Sequence, residues 1–268
     1  GDDCAILINP PQQFCISCDQ LIAGVHFDVH ASARQIAEKL IGRSLSDLAA
    51  AGASPYSCTL TCAFPEDYSN EQSFELCNEL ISAAAQYQLA IIGGDCSSAK
   101  QLVLSCTVMG RANGKVPGRN GAKVGGQIYV SRALGGAVDS GRHLSPTPEL
   151  ALGKLLVEKC SLQAMIDLSD GLDNDLRRIL RASNVGARVD VDLLPLNTGC
   201  DWQQAVSEGE DYGLLIVLDE AVALTIDDVL KEDSHRLYRV GEITASPTLD
   251  YQQNSNSVTL DKKPFSYS

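Results

Sequence analysis

The chain has 268 residues, of which 44% are hydrophobic and 21% charged, and it carries a formal net charge of −13. That length suits two domains, and the composition is that of an ordinary globular protein. The acidic balance argues against nucleic acid and anionic membrane as partners, and no apolar run reaches membrane-spanning length and no signal peptide is visible, so a cytoplasmic location is expected.

Gly1-Asp2-Asp3 leads into an apolar stretch, Cys4 to Ile8, and Asn9-Pro10-Pro11 marks a turn before a second strand, Phe14 to Cys18. Pairing these strands about the turn sets Asp3 and Asp19 against each other at the open end of a hairpin. Opposed like charges destabilise a ladder, whereas a divalent cation between them makes a chelate. Gly1 already lies inside a motif, so a preceding segment is expected. The ten cysteines include a lone C-x-x-C at Cys15 and Cys18 and a C-x-x-x-C at Cys58 and Cys62. No second pair has matching spacing for zinc, and these residues read as small buried hydrophobes in a reducing compartment.

His26 follows a glycine and precedes Phe27, which makes it a candidate ligand contact; with His30 it lacks the Glu of a zinc-binding helix. Arg34 to Ala51 reads as one amphipathic helix on the stripe Ala37, Ile41, Leu45, Leu48 and Ala49. Asp47 falls on its Leu40–Ser44–Ala51 side. Two readings stand for it, a cation ligand or an i,i+4 pair with Arg43. Gly52 and Pro55 end the helix, Tyr56 to Phe64 is a strand, and Glu71 to Gln88 a second helix. Leu89 to Ile92 reads as a buried strand stopping at Gly93-Gly94-Asp95, where the glycines allow close approach to backbone. Leu102 to Met109 is another strand.

Residues 113–121, N-G-K-V-P-G-R-N-G, are the best linker, giving domains 1–112 and 113–268. Arg119 within it has the planar fork that suits a phosphate. Gln127 to Ser131 is a strand, Asp139 to Pro148 is loop-like, and Glu149 to Cys160 a helix. Arg188 to Leu193 alternates as an edge strand does. Leu214 to Leu218, Leu237 to Ile243 and Val258 to Leu260 read as strands, and Ala221 to Lys231 as a surface helix.

The chain is organised around residues 166–176, I-D-L-S-D-G-L-D-N-D-L. Ala164 to Ile166 is a short buried strand, and Leu172, Leu176, Ile179 and Leu180 repeat at helical spacing. Asp167, Ser169 and Asp170 therefore sit on a strand-to-helix turn, whose backbone N–H groups favour anions. Carboxylates and phosphates share such a turn when a hard cation lies between them, and oxygen-only ligation suits Mg²⁺; the competing reading is a capping Asp and a solvated helix. No P-loop and no kinase-type glycine loop is present.

Together G-D-D-C-A, S-C-D-Q-L-I-A-G-V-H-F, S-L-S-D-L-A-A-A-G-A-S-P, I-I-G-G-D, P-G-R-N-G-A-K, I-D-L-S-D-G-L and E-G-E-D-Y, in this order, resemble the thiamine-monophosphate kinase family, part of the ATP-binding superfamily that includes aminoimidazole ribotide synthetase. The resemblance implies an α/β fold of two domains, an N-terminal mixed sheet with helices that pairs in a homodimer and a C-terminal α/β sandwich. It implies phosphoryl transfer from ATP to thiamine monophosphate with several Mg²⁺ ions. Carried over by position, Asp3, Ser17, Cys18, Asp19, Asp47, Asp95, Asp167 and Asp170 become metal ligands, Gly94, Asp95, Arg119 and Ser169 ATP contacts, and His26, Glu210 and Phe265 acceptor contacts. The chain departs from the family pattern at Cys18, at Cys96-Ser97, at Glu208 and Gly213, and by a shorter segment around Gly141-Arg142. The alternatives are another ATP-dependent enzyme of the superfamily, of the ring-closing synthetase type, or a non-catalytic nucleotide-binding regulator.

Overall fold

The computed structural model describes residues 2–9, 12–231, 235–263 and 265. Gly1, Pro10, Pro11 and the tail residues Ser266 to Ser268, on which parts of the sequence reading fall, lie outside them. Five strands form the N-terminal sheet: β1 (Ala5–Asn9), β2 (Gln12–Ile22), β3 (Ala53–Phe64), β4 (Ala90–Ser98) and β5 (Val103–Ala112), in the order β1-β2-β5-β3-β4. Helices α1 (Ala33–Ala50) and α2 (Asn70–Gln86) cover one face. Each begins with a capping box, Ser32 with Gln35 and Ser69 with Gln72, which satisfies first-turn N–H groups that the helix itself leaves orphaned.

The second sheet has seven strands: β6 (Gln127–Val130), β7 (Leu162–Asp167), β8 (Gly186–Asp190), β9 (Leu214–Leu218), β10 (Tyr238–Thr244), β11 (Leu249–Gln253) and β12 (Asn256–Val258), in the order β12-β11-β8-β10-β6-β9-β7. Strand β9 is buried throughout and reads as an unbroken apolar run for that reason. Helices α4 (Leu172–Ser183) and α5 (Trp202–Ser207) pack on one face. Helix α3 (Leu150–Lys159), the end of α1 and the short α7 (Ile226–Lys231) pack on the other.

Helix α1 belongs to both halves. Its small residues let the second half approach: a Cβ on Gly153 of α3 would lie 2.1 Å from the Ala49 carbonyl oxygen. Through this seam α1 also reaches β7, and the site is built there.

Several expectations change. Asn9 pairs with Gln12 and Ala5 with Ile16, so the register would carry Asp3 opposite Cys18, not Asp19. Strand β4 is the exposed edge of its sheet and runs on through Gly93, Gly94 and Asp95 to Ser98; its apolar residues reflect β propensity, not burial. Residues 186–190 lie between β11 and β10, inside the sheet, and β11 itself has no counterpart in the sequence reading. The surface helix of 221–231 is two pieces, α6 (Glu220–Ala223) and α7.

Candidate functional site

Three segments bring one acid each to the seam. Asp3 precedes β1, Asp47 lies in the last turns of α1, and Asp167 ends β7. Their carboxylate oxygens converge within 4.8 Å of one another, the one such group of three among the described residues. Ser46 Oγ donates to Asp167 Oδ2 at 2.8 Å, and Ser17 Oγ donates to Asp47 Oδ2. Burial raises the pKa of all three, and for Asp47 and Asp167 the neighbouring carboxylates push further in the same direction. Arg119 opposes this at Asp3, with a guanidinium nitrogen 2.8 Å from Asp3 Oδ1. The Arg119 backbone N–H donates to Asp2 Oδ1 at 2.8 Å, fixing the linker against the chain start.

Asp19 stands beside this group. Row by row across the sheet, Asp19, Cys106 and Leu60 share the helix-covered face. Arg43 Nε contacts Asp19 Oδ1 at 3.0 Å, and its charge also acts on Asp47, where it partly offsets the effect of burial. Asp19 Oδ2 is buried without a hydrogen-bond partner among the described residues. Ser17 lies on the same face, opposite Val108. Cys18 points the other way: its thiol is exposed on the outer face, 3.2 Å from Thr107 Oγ1, and the thiol does not reach the acids.

The donors present fit a hard cation. Every converging side-chain atom is a carboxylate oxygen, two acids already have their geometry held by serine hydroxyls, and one further buried oxygen is left unpartnered nearby.

Asp170 and Ser169 form the turn between β7 and α4. Gly171 makes it feasible: its φ is +89°, and a Cβ there would lie 2.7 Å from the Glu208 carbonyl oxygen. Asp170 pairs with Arg178, which also holds the fully buried Asp175, and the Asp170 N–H donates to Asp175 Oδ2 at 3.0 Å. Asp170 is thus at the rim of the acid group and is not a member of the converging three.

The E-G-E-D-Y loop lies over this turn. Glu210 and Tyr212 N–H groups donate to the Ser169 and Leu168 carbonyls, each at 2.8 Å, and both residues have positive φ, +68° and +51°. Glu210 is 2% exposed and meets the fully buried Lys39 of α1 at 2.5 Å, and Tyr212 Oη donates to the same carboxylate oxygen at 3.1 Å. Lys39 Nζ also donates to the His143 carbonyl at 3.3 Å. His26 Nδ1 accepts the Ile22 N–H at 3.0 Å, and burial with the nearby Arg43 lowers its pKa, so a neutral ring is favoured. Phe265 is anchored by Ser207 and Asn174 and lies over Gly209, where a Cβ would come within 2.7 Å of its ring.

Asp95 and Gly94 lie elsewhere in the chain. Asp95 shares a row with Thr61, Ser105 and Gln20 on the outer face of the sheet, three strand positions from β2. Gly94 is required by packing: a Cβ would lie 2.0 Å from the Leu60 carbonyl oxygen.

Sequence reasoning passed over Ser46, Lys39 and Arg178. Lys39 stands off the apolar stripe of α1, on the side of Gln35, Gly42, Arg43 and Ser46, so its burial against the second half had no local signal.

Comparison with known proteins follows this architecture. The description "AIR synthase related protein, N-terminal domain" matches residues 1–112, and the corresponding C-terminal domain matches residues 122–252. Thiamine-monophosphate kinase of Salmonella typhimurium is 34% identical over 299 aligned positions, covering 100% of this chain and 90% of that protein. The crystal structure of thiamine-monophosphate kinase from Stenotrophomonas maltophilia is 31% identical and superposes with a TM-score of 0.82, covering 96% of this chain and 90% of the other. The fold is also that of AaThiL complexed with AMPPCP and TMP, at 22% identity and a TM-score of 0.85, covering 98% and 90%. With both halves matched and a full-length relative at this identity, the chain belongs to the thiamine-monophosphate kinase family, within the AIR synthase related proteins.

Proposed function

We propose that this kinase transfers the terminal phosphoryl group of ATP directly to the phosphate of thiamine monophosphate, giving thiamine diphosphate and ADP, with Mg²⁺ held at the interdomain seam. The observation that carries the reading is the convergence of Asp3, Asp47 and Asp167 within 4.8 Å, beside an anion-favouring strand-to-helix turn. Asp3, Asp47 and Asp167 would hold the metal, with Asp19, Asp170 and the Ser17–Cys18 segment beside them; Cys18 has only its backbone carbonyl to offer. Bound there, Mg²⁺ supplies charge neutralisation for the transferring phosphoryl group.

The protein's own part is positioning, because phosphoryl transfer asks little covalent help of side chains. Arg119 and the Ser169 turn face the nucleotide phosphates. His26, Glu210 and Phe265 surround the acceptor, His26 as a neutral ring and Glu210 with its charge already balanced by Lys39. The acceptor phosphate is anionic at neutral pH, so no strong general base is required. Asp95 and Gly94 join the nucleotide site when the N-terminal sheets of two copies pair as a homodimer; the outer face on which Asp95 stands, opposite the helices, supports that assembly.

The test is ATP turnover with thiamine monophosphate, with thiamine, and without acceptor, each product identified chromatographically. Thiamine diphosphate formed only with thiamine monophosphate and Mg²⁺ is expected. Phosphate release without thiamine diphosphate would favour a ring-closing type of chemistry, and no turnover with retained ATP binding would favour a regulator. The 34% identity to a thiamine-monophosphate kinase over the whole chain favours the first reading over both.

A further inference from the structure

Cys62 on β3 and Cys96 on β4 lie directly opposite each other in a parallel ladder. Their row continues through Leu104 and Leu21, both fully buried, so both thiols stand on the helix-covered face of the sheet. Neighbouring strands are about 4.8 Å apart, and a disulfide spans Cα separations of about 4.4–6.8 Å. No other two cysteines are direct ladder partners among the described residues. Cys58 and Cys106 interact, but both are buried; Cys18 is exposed, but on the outer face.

The two thiols differ in access. Cys62 is 5% exposed, and burial next to Cys77 and Cys96 pushes its thiol up to about 12. Cys96 is exposed and opens to the helix side of the sheet, away from the outer face, which makes it the thiol that meets an outside reagent first. Both line a slot of about 340 Å³ between α2 and β4, together with Cys77, Leu80, Ile81 and Gly94. Asp95 lines it too.

We propose that Cys62 and Cys96 form a modification site, a cross-strand dithiol that a small-molecule disulfide converts into a Cys62–Cys96 disulfide on the wall of this slot. Cys96 sulfur attacks one sulfur of the small disulfide, its S–S bond breaks, and one thiol leaves with the proton that Cys96 gave up. Cys62 sulfur then attacks the Cys96 sulfur and expels the second small thiol, which takes the Cys62 proton. Two protein thiols are oxidised and one small disulfide is reduced to two thiols. Closing the bond ties β3 to its edge strand and narrows the slot. The consequence for nucleotide binding rests on the reading of Gly94 and Asp95 given above.

The test uses the full chain with oxidised glutathione, followed by alkylation, digestion and mass spectrometry. A peptide pair linked through Cys62 and Cys96 is expected, formed equally in Cys77→Ala, while Cys62→Ala stops at a glutathione mixed disulfide on Cys96. A mixed disulfide that persists in the unsubstituted protein, or a link from Cys96 to Cys77, would overturn the site. Calorimetry with a non-hydrolysable ATP analogue and Mg²⁺ is then run on reduced and oxidised protein. A several-fold loss of affinity on oxidation, reversed by dithiothreitol, is expected. A disulfide with unchanged affinity overturns the link to nucleotide, and absence of binding to the reduced protein overturns the nucleotide reading alone.

Discussion

Lys39 Nζ and Glu210 Oε2 are 2.5 Å apart, with side chains 0% and 2% exposed, and they join the middle of α1 to the E-G-E-D-Y loop of the other half. A buried charge without its partner is far costlier than one on the surface. Each residue therefore makes the other tolerable, and the pair holds the E-G-E-D-Y loop against the helix that also carries Asp47. Tyr212 and the His143 carbonyl complete the cluster.

Lys39→Met should accordingly cost about 3–5 kcal/mol of stability, the usual range for orphaning a buried ion. Glu210→Gln should cost less, since the amide still accepts from Tyr212, and the double variant should be more stable than the sum of the two losses implies. Urea denaturation of the four proteins gives the coupling. Strictly additive losses would mean that the two charges do not depend on each other.

Asp47→Asn should leave the metal-free protein at least as stable as the parent, because burial and neighbouring acids already oppose a charge at that position. It keeps an acceptor for Ser17. What it should lose is the rise in melting temperature on adding Mg²⁺, which reports binding to the folded state, and with it turnover. Melting curves in EDTA and in Mg²⁺ read both. An undiminished Mg²⁺ shift would remove Asp47 from the ligand set.

Gly93 and Gly94 are adjacent and alike in sequence but not in space. An added Cβ at Gly94 lies 2.0 Å from the Leu60 carbonyl oxygen, whereas at Gly93 the nearest atom is the Thr59 methyl at 3.8 Å. Gly94→Ala should destabilise by about 1–3 kcal/mol, the usual cost of forcing atoms into packed space, and speed hydrogen exchange along β4. Gly93→Ala should do neither. Equal effects at both positions would show that β4 does not sit against β3 as described.

The elements most legible in the sequence were those with a clear apolar pattern, such as α1 and β7. Chemistry-bearing residue types were legible too, because an acid next to a strand end or a Gly-bounded turn has few bland uses. Faces and edges were not. Nothing in A-I-I-G-G-D says whether the strand is central or last in its sheet, and a one-residue offset at the Asn9 turn moves Asp3 away from Asp19 and towards Asp47 and Asp167. Partners separated by 171 positions, as Lys39 and Glu210 are, leave no local trace, because Lys39 stands on the polar and small-residue side of α1, where a charge reads as solvated.

Asp211 offers a pH test away from the converging acids. It is 3% exposed, accepts the Gly135 N–H at 3.0 Å and meets Arg142 at 2.6 Å; burial outweighs these contacts and raises its pKa from 3.8 to about 6. A carboxyl whose folded pKa exceeds its unfolded one binds its proton more tightly in the fold. Its contribution to stability is complete below the unfolded pKa and is lost as pH rises through the folded one. The window is therefore pH 4 to 6, and the loss is on the order of 3 kcal/mol by the ordinary conversion of a pKa shift. Asp211→Asn keeps an acceptor for Gly135 and has no proton to lose. The stability of the parent relative to this variant should fall between pH 4 and 6 and then level off. Chemical denaturation of both proteins at half-unit intervals measures it, and parallel stability curves across that window would show that Asp211 titrates as it does in the unfolded chain.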